Sequence, residues 1–147
     1  MEINIYHILE GKLVSTLTKL LEKIYLSQKK CIFFSPISER VEIIDKALWT
    51  FSTNAFIPHG SKKIGFSDMQ PIYFTDKYEN PNDAEVLLMV DSFDYSNFDE
   101  GLEKIMIVFE DLNQLTEANT LYQTLKNADK NVNYWKQSTK EWKRVIT

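Results

Sequence analysis

The side chains most suited to catalysis or metal binding in this chain are those of two histidines, His7 and His59, and one cysteine, Cys31. His7 stands among apolar residues in a strand-like run, so a histidine in the core or at a sheet edge is favoured over a catalytic base. His59 follows Pro58 in a long polar connection, where functional residues are common. No serine lies in a GxSxG turn and no local signature pairs Cys31 with a histidine. Nucleophilic catalysis therefore has no support in the sequence, and we assign no catalytic residue.

Nucleotide binding would require a glycine-rich turn that holds phosphate at a helix N-terminus. The first strand-like run is followed by Leu9-Glu10-Gly11-Lys12-Leu13, which matches neither GxGxxG nor GxxxxGK[ST]. Residues 60–65 begin and end with glycine but enclose lysines, and a plain surface loop is favoured there over a phosphate site. The expected cofactor content is therefore none.

A run of carboxylates lies in the second half of the chain, at Asp91, Asp94, Asp99, Glu100 and Glu103. Carboxylate oxygens can hold a divalent cation, but the spacing here does not resemble an EF-hand loop. A solvated acidic face is favoured over a cation site.

Charge is distributed unevenly along the chain, whose formal net charge is −4. Residues 126–147 hold six Lys and Arg and two acidic residues, a formal charge of +4, so residues 1–125 carry −8. Four aromatic residues accompany this basic end: Tyr122, Tyr134, Trp135 and Trp142. Such a surface suits an acidic peptide or a nucleic-acid single strand. A solvated tail with its rings folded inward is an equally weighted alternative.

Alternating apolar patterns predict an α/β fold that would position these residues. The predicted strands are Ile3–Ile8, Cys31–Ser35, Pro71–Thr75, Glu85–Val90, Ile105–Phe109 and Val132–Lys136. Apolar residues at helical spacing predict a helix from about Lys12 to Ser27, a second one capped by Ser38 and reaching Phe51, and a third from about Asn113 to Ala128. Residues 52–70 are predicted to be a long surface connection, and residues 138–147 have no clear period.

The length of 147 residues and the 44% hydrophobic content suit one domain, 1–147, with a packed core. A single cysteine cannot form an internal disulfide, which favours a reducing compartment. The N-terminus has no basic run followed by an apolar one, and no apolar stretch approaches the roughly 18 residues that a bilayer-spanning helix needs. We therefore expect a cytoplasmic protein without membrane contact.

A second candidate surface lies around Trp49 and the segment Phe56-Ile57-Pro58-His59. Trp49 stands near the end of the second predicted helix, and two more apolar residues follow before a proline. Contiguous exposed apolar groups mark protein contacts. The alternative, that these residues cap the core, is slightly favoured from the pattern alone.

Five short segments and a tryptophan occur in a characteristic order along the chain. They are Asp45-Lys46-Ala47-Leu48-Trp49, Phe56-Ile57-Pro58-His59-Gly60, Gln70-Pro71-Ile72, Ala84-Glu85-Val86-Leu87-Leu88 and Val132-Asn133-Tyr134-Trp135, followed by Trp142. This order resembles the chi subunit of bacterial DNA polymerase III over nearly the whole chain. The combination D-x-x-L-W with a later F-x-P-H is fairly specific, since no common catalytic motif has that order and spacing.

The resemblance implies a single three-layer α/β domain with a mostly parallel central sheet flanked by helices. Such a fold is similar to mononucleotide-binding folds but lacks their phosphate loop. The resemblance also implies an accessory protein with no intrinsic catalysis and no metal site, which pairs with the psi subunit at the clamp loader. Trp49, Phe56, Ile57 and Pro58 would lie at the psi-facing surface.

A second partner implied by the resemblance is single-stranded DNA-binding protein, whose acidic C-terminal tail ends in an apolar Pro-Phe. Val108, Asn119, Tyr122 and Lys126 would line the pocket for that tail. An apolar socket for the terminal ring and a cation for the terminal carboxylate suit this ligand. DNA would be reached only indirectly, through the coated template.

Two other classes of function remain open. The basic, aromatic C-terminal segment suits a module that binds single-stranded nucleic acid directly. A nucleotide-using enzyme on a doubly wound sheet is the third class, and the missing phosphate loop disfavours it.

Overall fold

A single sheet of eight strands runs through the part of the chain that the structure, a computed structural model, describes: residues 1–51, 59–61, 71–98, 101–137 and 142–145, with the backbone alone at 49, 51 and 59–61. The strands are β1 (Glu2–His7), β2 (Cys31–Phe34), β3 (His59–Ser61), β4 (Ile72–Thr75), β5 (Val86–Val90), β6 (Lys104–Phe109), β7 (Val132–Gln137) and β8 (Trp142–Val145). Their order across the sheet is β3-β4-β2-β5-β6-β1-β7-β8. All neighbouring pairs are parallel except β7 and β8, which are antiparallel.

Three α-helices cover the two faces of the sheet: α1 (Leu13–Leu26), α2 (Ser38–Phe51) and α3 (Leu115–Asn127). The apolar sides of α1 and α2 pack on one face, and α3 packs on the other. The predicted class, a three-layer α/β fold with a mostly parallel sheet, is confirmed. Among the described residues, no helix is both long enough and apolar enough to cross a bilayer.

The core consists of two apolar clusters separated by the sheet. Successive strand residues point to opposite faces, so Ile105, Ile107 and Phe109 of β6 join the cluster under α3, whereas Met106 and Val108 join the cluster under α1 and α2. Burial on both faces explains why β2, β5 and β6 are continuous apolar runs in the sequence. Each such side chain contributes roughly 1.5–3 kcal/mol when fully buried.

The predicted helices and strands are confirmed with small shifts at their ends. The helix predicted from Lys12 to Ser27 is observed at Leu13–Leu26, and the strand predicted at Ile3–Ile8 is observed at Glu2–His7. The third helix begins at Leu115, two residues later than predicted, because a 3-10 turn occupies residues 112–114.

Two edge strands are not predicted from the sequence. Residues 59–61 of the predicted surface connection form β3, which pairs with β4, and residues 142–145 of the tail without a clear period form β8, which pairs with β7. Both strands are short, with three and four residues. Short edge strands carry little periodic signal, because one or two alternations do not define a period.

Candidate protein-binding surface

Helix α3 is the element that positions three of the residues predicted to line a peptide pocket. Asp111 accepts a hydrogen bond from the backbone amide of Asn113 at 2.9 Å, which starts the 3-10 turn that leads into α3. The buried side of the helix consists of Ala118, Tyr122 and Leu125. These residues follow each other at spacings of four and three, the period of a helix with one apolar face.

Asn119, Tyr122 and Lys126 lie close together along α3. Residues three and four apart are neighbours on a helix surface. Asn119 and Lys126 are exposed, whereas Tyr122 is 7% exposed and forms the border between the helix surface and the core. The structure therefore brings together these three predicted residues.

The Lys126 ammonium group lies over the ring of Tyr122, with Nζ at 5.7 Å from the ring centroid. This is a cation–π contact, which the negative face of an aromatic ring makes favourable. No carboxylate in the described part of the chain forms an ion pair with Lys126. A cation beside an aromatic ring is thus available at the surface of α3.

Tyr122 also begins a chain of aromatic contacts that continues into the sheet. Its ring meets that of Tyr134 edge to face at 5.6 Å between centroids, and Tyr134 in turn meets Phe109 at 6.4 Å. Tyr134 is 4% exposed, and its hydroxyl has no hydrogen-bond partner among the described residues. Burial raises the pKa of Tyr134 to about 12, so this hydroxyl stays protonated at neutral pH.

Val108 does not join the other three residues of the predicted pocket. It is 1% exposed and belongs to the cluster under α1 and α2, on the face of the sheet opposite to Tyr122. Phe109 is the residue of β6 that faces α3 at this end of the strand. The alternation of side chains along a strand indicates that Val108 and Phe109 face opposite sides of the sheet, but it does not indicate which side carries α3.

The residues predicted for the psi-facing surface lie mostly outside the part of the chain that the structure describes. Phe56, Ile57 and Pro58 are outside the described residues. Trp49 is described by its backbone, which lies near the end of α2.

Four described lysines of the basic C-terminal segment lie at opposite ends of β7. Lys126 and Lys130 lie at the amino ends of the strands, since β7 begins at Val132. Lys136 and Lys143 are cross-strand partners in β7 and β8, near the carboxyl end of β7. These four lysines therefore do not form one cluster.

The aromatic residues of this segment also point in different directions. Trp135 donates a hydrogen bond from Nε1 to Oδ1 of Asn4 at 3.2 Å, and the ring of Trp142 packs edge to face against Tyr6 at 5.2 Å. Trp142 packs against the cluster under α1 and α2, whereas Tyr134 belongs to the cluster under α3. Two of the predicted rings are therefore engaged with the body of the domain.

Three other reactive side chains, those of His7, Cys31 and Asp91, are buried or make contacts within the fold, and the side chain of His59 lies outside the described part of the chain. The His7 ring stacks on Phe109 at 4.5 Å, and burial together with nearby Lys136 lowers the pKa of His7 below its usual value of 6.5. Burial raises the pKa of the Cys31 thiol to about 12, which makes it a poor nucleophile. Asp91 accepts hydrogen bonds from Ser35 and Arg40.

No group of three or more His, Cys, Asp or Glu in the described ranges is arranged to hold a metal ion. Two residues of the acidic run, Asp99 and Glu100, lie outside those ranges, as do residues 62–65 of the segment with two glycines.

Comparison with known proteins gives two matches. Residues 1–133 match the family model described as "DNA polymerase III chi subunit, HolC". The chain is also 35% identical over 106 residues to a protein of Rickettsia prowazekii (strain Madrid E) named "Probable DNA polymerase III subunit chi". The aligned residues make up 72% of this chain and 64% of that relative, so the chain spans less than two thirds of the relative's length.

Proposed function

Because this chain belongs to the DNA polymerase III chi subunit family, we propose that it is a non-catalytic accessory subunit of that polymerase and acts in DNA replication. In this role the chain connects the replication machinery to its template without performing chemistry. The cytoplasm, where bacterial chromosomes are replicated, is the corresponding location. The alternative of a nucleotide-using enzyme has no phosphate loop in the sequence to support it.

The proposal includes two partners. The first is the psi subunit of the clamp loader, which would contact the surface around Trp49, Phe56, Ile57 and Pro58. The second is the acidic C-terminal tail of single-stranded DNA-binding protein, which would bind on α3. The chain would thereby bridge the clamp loader and the protein-coated single strand.

The observation that supports tail binding is the Lys126 ammonium group over the ring of Tyr122, without an ion pair to a described carboxylate. An acidic peptide that ends in phenylalanine offers a carboxylate to the cation and a ring to the aromatic surface. Asn119 adds an exposed amide that can hydrogen-bond the peptide backbone. Asn119, Tyr122 and Lys126 thus provide each kind of contact that such a ligand needs, whereas Val108 is buried on the other face of the sheet.

Calorimetry with a peptide ending in Asp-Ile-Pro-Phe tests this proposal. We expect micromolar affinity, on the order of −8 kcal/mol, and weaker binding as the salt concentration rises, since exposed charges are screened. Lys126→Glu should weaken binding by about tenfold or more, because a charge-assisted hydrogen bond is replaced by repulsion. Lys23→Glu is the matched control, since Lys23 occupies the last turn of α1 as Lys126 occupies that of α3.

The result that contradicts tail binding is an equal affinity for a scrambled peptide without the terminal phenylalanine, or equal effects of Lys126→Glu and Lys23→Glu. Fluorescence anisotropy with a single-stranded oligonucleotide separates the adaptor from a direct nucleic-acid binder. The adaptor should bind the oligonucleotide weakly until single-stranded DNA-binding protein is added. Tight direct binding would favour the alternative.

A further inference from the structure

A crevice opens between the carboxyl ends of β1 and β6, away from the surface of α3. The loop after β1 leads to α1 on one face of the sheet, and the loop after β6 leads to α3 on the other. Adjacent parallel strands whose connections leave on opposite faces form a crevice at their carboxyl ends, where α/β proteins commonly bind ligands. The cavity has a volume of about 890 Å³ and includes residues of both loops.

Two backbone amides in the loop after β1 already donate hydrogen bonds to side chains of the protein. The Gly11 amide donates to Oε2 of Glu110 at 3.2 Å, and the Leu9 amide donates to Oε1 of Gln137 at 3.0 Å. Gly11 has a φ of 81°, which only glycine adopts at no steric cost, so this loop conformation depends on its glycine. A carboxylate thus stands where a mononucleotide-binding fold would offer an amide to phosphate, and it would repel a phosphate group.

The walls of the crevice carry more negative than positive charge. Four carboxylates and two cations line it: Glu10, Asp91, Glu110, Asp111, Arg40 and Lys136. Arg40 is paired with Asp91, with Nε at 3.1 Å from Oδ2. Three carboxylates therefore remain opposite one lysine, and the ligand that this arrangement favours is a cation.

Two aliphatic side chains on this crevice are unusually exposed for their type. Leu112 is 71% exposed and Ile37 is 49% exposed. They begin the segments that lead into α3 and α2, on opposite sides of the sheet. An acidic crevice between exposed aliphatic residues suits a ligand that is both basic and apolar.

We propose that this crevice, defined by Glu10, Ile37, Glu110, Asp111 and Leu112, binds a basic segment of a partner protein in which Lys or Arg alternates with aliphatic residues. Charge complementarity selects the basic side chains, and Ile37 and Leu112 receive the aliphatic ones. A small polyamine would satisfy the carboxylates alone and would leave both aliphatic side chains uncovered. The site is separate from the α3 surface and prefers the opposite charge.

Fluorescence anisotropy with the full chain and a labelled, capped peptide Lys-Leu-Arg-Leu-Lys-Leu-Arg tests the proposal. We expect saturable binding, and a loss of about tenfold in the double variant Glu110→Gln with Asp111→Asn. These substitutions remove two charges but keep the oxygen atoms that accept hydrogen bonds from Gly11 and Asn113. The matched control is Glu22→Gln with Glu117→Gln, which has the same net charge and lies outside the crevice.

The aliphatic contribution is tested with Leu112→Ser, which should weaken the same peptide about threefold or more, since burial of a leucine side chain is lost. A peptide in which serine replaces each leucine should be insensitive to this variant. Three outcomes overturn the proposal: no saturable binding up to about 1 mM peptide, equal losses in the two double variants, or full displacement by spermidine with no effect of Leu112→Ser.

Discussion

Tyr122 of α3 and Tyr134 of β7 meet edge to face with their ring centroids 5.6 Å apart, and this contact joins the helix to the sheet beneath the proposed tail-binding surface. Edge-to-face pairs contribute roughly 0.5–1.5 kcal/mol beyond the area they bury. The two rings therefore stabilise the packing of α3 on the sheet, and the Lys126 ammonium group lies over the outer of the two, that of Tyr122. Removing either the hydroxyl group or the whole ring of Tyr134 shows how much each contributes to the stability of the protein.

Tyr134→Phe should leave the ring contact intact and raise the free energy of unfolding by about 1 kcal/mol, because it removes a buried hydroxyl that lacks a partner among the described residues. Urea unfolding measures this change. Tyr134→Ala is the comparison, and it should lower the free energy of unfolding by about 3–5 kcal/mol, since the ring is lost from the core. A clear destabilisation by Tyr134→Phe would show that the hydroxyl makes a favourable interaction.

Val108→Ala should lower the free energy of unfolding by about 2 kcal/mol without changing the affinity for the tail peptide. Val108 is buried under α1 and α2, so the substitution creates a cavity on the face of the sheet opposite to α3. Urea unfolding and calorimetry on the same variant measure the two effects. Weaker peptide binding by the folded variant would contradict the placement of the tail on α3.

The pair of Arg40 and Asp91 should be coupled by about 1 kcal/mol in a double-mutant cycle. The pair has two hydrogen bonds, from Nε to Oδ2 at 3.1 Å and from Nη2 to Oδ1 at 3.4 Å, and both side chains are partly buried. Asp91→Asn is the suitable substitution, because Asp91 has a φ of 65° and asparagine tolerates this backbone conformation. Arg40→Met completes the cycle, which urea unfolding reads out.

The exposed pair of Lys29 and Glu103, at 3.1 Å, is the control for this cycle. Exposed ion pairs typically contribute less than about 1 kcal/mol, because water screens them. We expect its coupling to be smaller than that of Arg40 and Asp91. Equal coupling in the two pairs would mean that burial does not strengthen the Arg40–Asp91 contact.

The pKa of His7 should make stability depend on pH in a defined direction. Burial and Lys136 lower this pKa below 6.5 in the folded state, so the unfolded chain binds the proton more readily. The free energy of unfolding should therefore rise with pH between the folded pKa and 6.5, and the stability should be lost as pH falls through that window. Unfolding curves of the wild type and His7→Gln, compared across this window, isolate the contribution of His7.

An NMR titration of the His7 ring measures the same shift directly. In the unfolding experiment, His7→Gln is the control for the carboxylates, because their contribution to the pH dependence of stability is the same in both proteins. A His7 midpoint at or above 6.5 in the folded protein would contradict the prediction.

The local elements could be predicted from sequence because each has a period of its own. The spacing of Leu13, Leu17, Leu21 and Ile24 identifies one face of α1, and the unbroken apolar run of β5 identifies a strand buried on both sides. The short strands β3 and β8 lack such a signal, since their pairing with β4 and β7 depends on residues elsewhere in the chain.

The candidate binding site also has a part that could be predicted from sequence and a part that could not. The spacing of Asn119, Tyr122 and Lys126 on one helix was readable in advance, because neighbours on a helix are set by residues three and four positions apart. The side of the sheet on which Val108 lies was not, because the direction in which a strand points its first side chain depends on the layers packed around it.

The α/β class, the family resemblance and the uneven distribution of charge can be read from the order of residues alone. Which of those residues meet depends on how the strands pair and how the helices pack on them. Gly11 and Glu110, 99 residues apart, are joined only because β1 and β6 are neighbours in the sheet. The acidic crevice between their loops has the same origin: it is formed by strand pairing, which depends on contacts between residues distant in the chain.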